Sequence, residues 1–119
     1  MTTQQTANRL VELCRKGDFE SAQKNLFSDD AISIEPHATP AFDKETQGLD
    51  AIVEKGKKFN SMVEKTHGIT ISDPLIASNS FACIMTMDVT MKEGGRMQMA
   101  ELCVYEVNEG KVISEHFFM

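Results

Sequence analysis

The sequence has no basic run, no CxxC pair, no apolar stretch of membrane-spanning length and no low-complexity linker. Each absence narrows what the chain can do. Its 12 Lys and Arg face 18 Asp and Glu, a formal net charge of −6. A nucleic-acid binder needs a basic footprint, so nucleic acid is not expected as a partner. The charges that do cluster, Glu54 to Lys58, alternate in sign and read as a solvated helix face. No apolar run is long enough for a bilayer, so no membrane partner is expected. Cys14, Cys83 and Cys103 lack metal-ligand spacing. Their odd number predicts free, buried thiols in a reducing cytoplasm. Met1–Thr6 lacks the basic start and apolar segment of an export signal. His37, His67 and His116 share no ligand spacing, so neither a metal nor a cofactor is expected.

With 41% hydrophobic and 25% charged residues, the 119-residue chain has the composition of one ordinary globular domain, residues 1–119. Its most informative stretch is Met97–Val107, which reads as a β-strand. Alternate side chains of a strand share a face. One face carries Met97, Met99, Glu101, Cys103, Tyr105 and Val107. A single carboxyl in such a row is costly to bury unless it is hydrogen-bonded, neutralised or functional.

Before this strand the patterns are mostly helical. Leu10, Leu13 and Cys14 predict a helix over about Thr6–Lys16, stopped by Gly17. Asp18 can cap a second helix whose buried face is Phe19, Ala22, Leu26 and Phe27. Ser28-Asp29-Asp30 reads as a turn, and Ala31–Glu35 as a short alternating strand ended by Pro36. His37–Gln47 is an irregular loop or short strand, with His37 in solvent. Leu49, Ile52, Val53, Gly56, Phe59, Met62 and Val63 mark one face of a long helix. Gly56 costs about 1 kcal/mol of helix propensity, so a close packing partner is expected there. His67-Gly68 is expected to close this helix, with His67 as a cation at its C-terminus.

The remainder is β. Ile69–Ala77 bends at Asp73-Pro74, and Phe81–Lys92, Arg96–Val107 and Lys111–Met119 are joined by glycine turns that imply antiparallel hairpins. A loop at Glu93–Gly95 would set Met87 opposite Glu101. A loop at Asn108–Gly110 would set Phe117 opposite Glu101, and Glu115 opposite Cys103 at the rim. The fold class is α+β, a curved antiparallel sheet wrapped around helices. Three helices cannot fill the concave side, so a cavity is expected.

In this order, Lys16-Gly17-Asp18-Phe19, Ser28-Asp29-Asp30-Ala31, Gly48-Leu49-Asp50-Ala51-Ile52 and Val104-Tyr105-Glu106-Val107 with Gly110-Lys111-Val112 resemble the SnoaL-like branch of the nuclear transport factor 2-like superfamily. Ketosteroid isomerases belong to the same superfamily. The resemblance covers essentially the whole chain and implies the cone-shaped, cystatin-like fold, but no single function. It places Glu35, just before Pro36, on the isomerases' general base. It places Glu101, four residues before Tyr105, on their protonated acid. Leu10 stands where those enzymes carry a tyrosine oxyanion donor. In SnoaL-type cyclases, polar positions on the same strand correspond to Glu101 and Cys103. Phe117, flanked by Glu115 and His116, stands near the place of their acid/base Asp.

The chemistry open to these residues is proton transfer. Glu35 could take a proton from carbon beside a carbonyl, and a neutral Glu101 could hydrogen-bond the enolate. Expected ligand contacts are Leu10, Leu13, Phe59, Met87, Met99, Cys103 and Phe117, with a small apolar molecule as the partner. Met62, Met85, Met87, Met91, Met97 and Met99 could line an adaptable cavity or simply be core. His116 is expected to serve packing or an interface. Ile84, Leu102, Val104, Val112 and Phe118 lie on the other sheet face and predict a homodimer through the sheet. The expected function is a cofactor-free isomerase or lyase. The alternatives are a non-catalytic small-molecule-binding protein and an interaction domain with a vestigial pocket.

Overall fold

A computed structural model describes residues 1–119. Helix α1, Thr3–Arg15, starts in a reciprocal capping box between Thr2 and Gln5. Gly17, at φ 76°, supplies the left-handed residue that ends it. Asp18 caps α2, Phe19–Leu26, by accepting from the Ser21 amide. Strand β1, Phe27–Ile34, leads through a loop to β2, Glu45–Gln47, and to α3, Leu49–Met62. Then follow β3, Val63–Ile71, β4, Leu75–Ala77, β5, Ser80–Met91, β6, Gly95–Asn108, and β7, Lys111–Phe118. No helix is long and apolar enough to cross a membrane.

The strands form one curved, unclosed sheet in the order β2-β1-β7-β6-β5-β3, with β4 also on β5. All pairs are antiparallel except β1 with β7. The helices cover the concave side. Leu10, Leu13, Ala22, Leu26, Phe81, Tyr105, Val107 and Val112 belong to one buried cluster there. Phe81 and Tyr105 stack with centroids 4.8 Å apart.

Several boundaries differ from expectation. Phe27 is extended and begins β1 instead of ending α2, so the expected turn at Ser28–Asp30 lies within the strand. Pairing with β7 overrides the turn propensity, at the cost of an irregularity between Phe27 and Ile32. The long helix ends at Met62. Val63 and His67 lie in β3, where pairing with β5 overrides the helical spacing, and His67 Nε2 meets Thr90 Oγ1 at 2.7 Å. A β-carbon on Gly56 would have no neighbour within 4 Å, so the expected packing partner is missing.

The register also differs, for reasons that lie in the turns. Gly94 and Gly95 both have positive φ, and Gly95 joins β6 opposite Met91. That shift of two residues puts Met85, not Met87, opposite Glu101, and leaves the faces unchanged. At the next hairpin Glu109 and Gly110 have φ 51° and 77°, a two-residue turn with both φ positive. It pairs Asn108 with Lys111, and a bulge follows, with Glu106 opposite Ser114. Phe117 therefore faces Cys103, and Glu115 faces Tyr105. Before the bulge, Val112 points into the core and is fully buried, so it does not belong to the outer face.

Candidate functional site

Strand β1 alternates as expected, and the face it turns inward is the polar one. Ala31 and Ser33 are fully buried, whereas Ile32 and Ile34 are only half-buried. Glu35, two residues past Ser33, extends that face beyond the strand end. Parallel pairing sets Ser33 beside Glu115 of β7. Ser33 Oγ donates to Glu115 Oε1 at 2.7 Å. Lys55, from the inward stripe of α3, donates to Ser33 Oγ at 2.7 Å and pairs with Glu35 Oε1 at 3.4 Å. Its side chain is 15% exposed and that of Glu35 25%. Its ammonium also lies 5.9 Å from the centroid of the Phe117 ring.

Glu115 is 4% exposed, so it sits inside the molecule and not at the rim. The two-residue turn and the bulge in β7 together leave Glu115 on the inward face that the expected register gave it, now beside the buried Tyr105. Burial pushes its carboxyl up to about 7, with Glu35 and Glu101 adding to the rise and Ser33 and Lys55 opposing it. Glu101, half-buried on β6, is pushed up to about 7 by burial first and then by the charge of Glu35, against the pull of Lys55. Three carboxyl groups, one ammonium and one hydroxyl thus share a site in which Glu101 and Glu115 are held above the ordinary carboxylate range. No buried side-chain polar atom lacks a partner.

Of the expected ligand contacts, Phe117 and Cys103 border this cluster. Cys103 is itself buried directly opposite Cys83. A hydrogen bond to the Cys83 thiol and burial hold its thiol far above the ordinary range. Leu10 and Leu13 are core residues and border neither large surface groove. The tyrosine position of the isomerases is thus filled here by packing. Phe59 and Met87 line an open groove of about 350 Å³ bounded by the α1–α2 turn, α3, β3 and β5. Met99 is half-buried opposite Met87, and Met97 is exposed. A cleft of about 430 Å³ lies elsewhere, between α1 and the Asp73-Pro74 bend, and has a single apolar residue in its lining.

Lys55 and Ser33 were not anticipated. Lys55 lies three residues after Ile52 and four before Phe59, on the buried stripe, but the alternating charges around it suggested a solvated face. Ser33 shares a strand face with Glu35, and that spacing alone could have pointed to it.

The SnoaL-like domain profile matches residues 1–119. The chain belongs to the SnoaL-like domain family. A Mesorhizobium loti protein provisionally described as a SnoaL-like polyketide cyclase is 29% identical, with a TM-score of 0.93 and 100% of both chains covered. A Xanthomonas campestris protein of unknown function with a cystatin-like fold has a TM-score of 0.84 at 18% identity, covering 99% of this chain and 90% of that one. A Bacillus subtilis protein provisionally described as an isomerase has a TM-score of 0.74 at 17% identity, covering 98% and 88%. No curated protein sequence matches significantly. This SnoaL-like domain has the family's curved α+β architecture, and the last two likenesses speak to the fold alone.

Proposed function

We propose that this SnoaL-like domain is a cofactor-free isomerase or lyase that moves protons on a small, largely apolar carbonyl compound. The observation that carries this reading is the convergence of Glu35, Glu101 and Glu115 around Lys55. Glu35, ion-paired to Lys55, is the base for the proton next to the carbonyl. Glu101, half-protonated near neutrality, hydrogen-bonds the developing enolate, and Glu35, now carrying the proton, returns it at another carbon. Lys55 balances the charge, and Ser33 ties Glu115 to it. The family relationship to a protein described as a polyketide cyclase supports chemistry on carbonyl compounds.

The test is exchange of α-protons of 2-decanone in D2O, followed by proton NMR. The expected result is exchange above the buffer rate, lowered about 10²- to 10⁴-fold in Glu101→Gln. Exchange unaffected by that substitution rules the role out. A second reading, binding without turnover, is favoured by the absence of any unpartnered buried side-chain polar atom. It predicts retained ligand, no exchange, and a Glu101→Leu variant that is more stable with unchanged binding.

We further propose a homodimer through the outer sheet face. Ile84, Leu102 and Phe118 are cross-strand neighbours there and are 52%, 43% and 46% exposed. Light scattering at micromolar concentration should give a dimer, and Leu102→Glu a monomer. The free, buried thiols Cys14, Cys83 and Cys103 support a reducing compartment such as the cytoplasm.

A further inference from the structure

The groove of about 350 Å³ lies within the size range of small-molecule sites, roughly 300–1,000 Å³. Its floor includes Phe19, Phe59, Ile69 and Met87. Its rim includes Lys16 and His67, and no carboxylate lines it, although the chain has a net charge of −6. The neighbouring Arg15 is already engaged by the Ile71 carbonyl oxygen and Asp73. Lys16 is held only loosely. Its ammonium lies 3.5 Å from Glu12, and both side chains are more than half exposed. Such a pair contributes about 0–1 kcal/mol, so the ammonium can turn to a ligand at little cost.

The floor leads toward the carboxyl cluster. Phe59 is four residues beyond Lys55 on α3, a rise of about 6 Å. Met87 faces Met99, and Glu101 is two residues further along the same face of β6, about 7 Å away. Between Lys55 and Phe59 stands Gly56, beside open space. The groove and the carboxyl cluster thus draw on the same two supports, one face of α3 and the inward face of the β5–β6 pair, about one helical turn and two strand residues apart.

We infer that the groove holds the far end of the substrate, and that the substrate is an amphipathic keto acid. Its carboxylate pairs with Lys16, its apolar body lies on Phe59 and Met87, and its carbonyl reaches Glu101. This inference rests on the proton-transfer reading above and names the class of molecule that reading requires.

Two compounds of equal chain length test it, 9-oxodecanoate and 2-decanone, by α-proton exchange in D2O. Calorimetric binding of decanoate tests the groove without any turnover. The expected KM is about three- to tenfold lower for the keto acid than for the ketone. Lys16→Glu should abolish or reverse that preference and should weaken decanoate binding. If neither compound exchanges, but decanoate binds and Lys16→Glu weakens it, the groove assignment stands and the reaction falls. If both exchange with equal KM, the groove assignment is overturned while the reaction stands, and decanoate binding that ignores Lys16 overturns the groove assignment whatever the exchange shows. If nothing binds and nothing exchanges, both are overturned.

Discussion

Strand β6 has two halves that obey one alternation and meet opposite fates. Toward its C-terminal end, Cys103, Tyr105 and Val107 are buried in the apolar cluster with Leu10 and Phe81. Toward its N-terminal end, the same face carries Met99 and Glu101, only half-buried. Glu101 feels the charges of Glu35, just past β1, and of Lys55 on α3, and its own charge acts on Glu115 of β7. The filled half gains stability from apolar burial and close packing. The charged half gains little, because desolvating ions offsets much of their attraction. A chain that needed only a stable fold would fill both halves with apolar residues. Charge kept at one end is what the proposed proton-transfer site would require, at some expense to stability.

Substitutions in the two halves should therefore behave differently. The largest effect is expected in the filled half. Phe81→Ala removes the ring stacked on Tyr105 and should cost about 3–5 kcal/mol in denaturant unfolding, independent of pH. The charged half should respond to pH instead. The Glu115 carboxyl is held at about 7 against an ordinary 4.5, so the folded chain keeps a proton that the unfolded chain has lost. Stability is then greatest below the unfolded value and falls as pH rises through about 7. The loss is up to about 3 kcal/mol. Glu115→Gln should flatten this slope between about pH 4.5 and pH 7, as measured by chemical denaturation at each pH.

A smaller effect is expected at Lys55. Lys55→Met removes the cation that lowers the Glu101 and Glu115 values. Both carboxyls should then titrate higher, and stability near neutrality should fall by about 2 kcal/mol. Carboxyl carbon NMR reads the first result and denaturation the second. The smallest effect is expected at Gly56. Nothing crowds its missing side chain, so Gly56→Ala should add about 0.5–1 kcal/mol of stability.

The difference between the halves also explains what could be read from the sequence. Helical spacing revealed α1, α2 and most of α3, and glycine turns revealed the hairpins, because these signals are local. Glu101 stood out for the same reason, as a carboxyl in an otherwise legible strand pattern, and Glu35 through the resemblance to the isomerases. Register was harder to read. Which glycine belongs to the turn and which to the strand depends on backbone angles, and the bulge in β7 leaves no mark in composition. The two-residue turn concealed the inward direction of Val112, and the bulge beyond it restored the expected face, so only the depth of Glu115 went unread. Lys55 was concealed differently, since a lysine flanked by charges resembles solvent-facing surface until carboxyls from distant strands arrive beside it.

Glu101 holds a proton near neutrality because burial first, and the charge of Glu35 second, disfavour its ionised form. Carbon-detected NMR titration of the Glu101 carboxyl, in the native chain and in Glu35→Gln, tests this most directly. The expected midpoint is about 7 in the native chain, moving downward once the charge of Glu35 is gone. A midpoint near the ordinary 4.5, unmoved by Glu35→Gln, would contradict it.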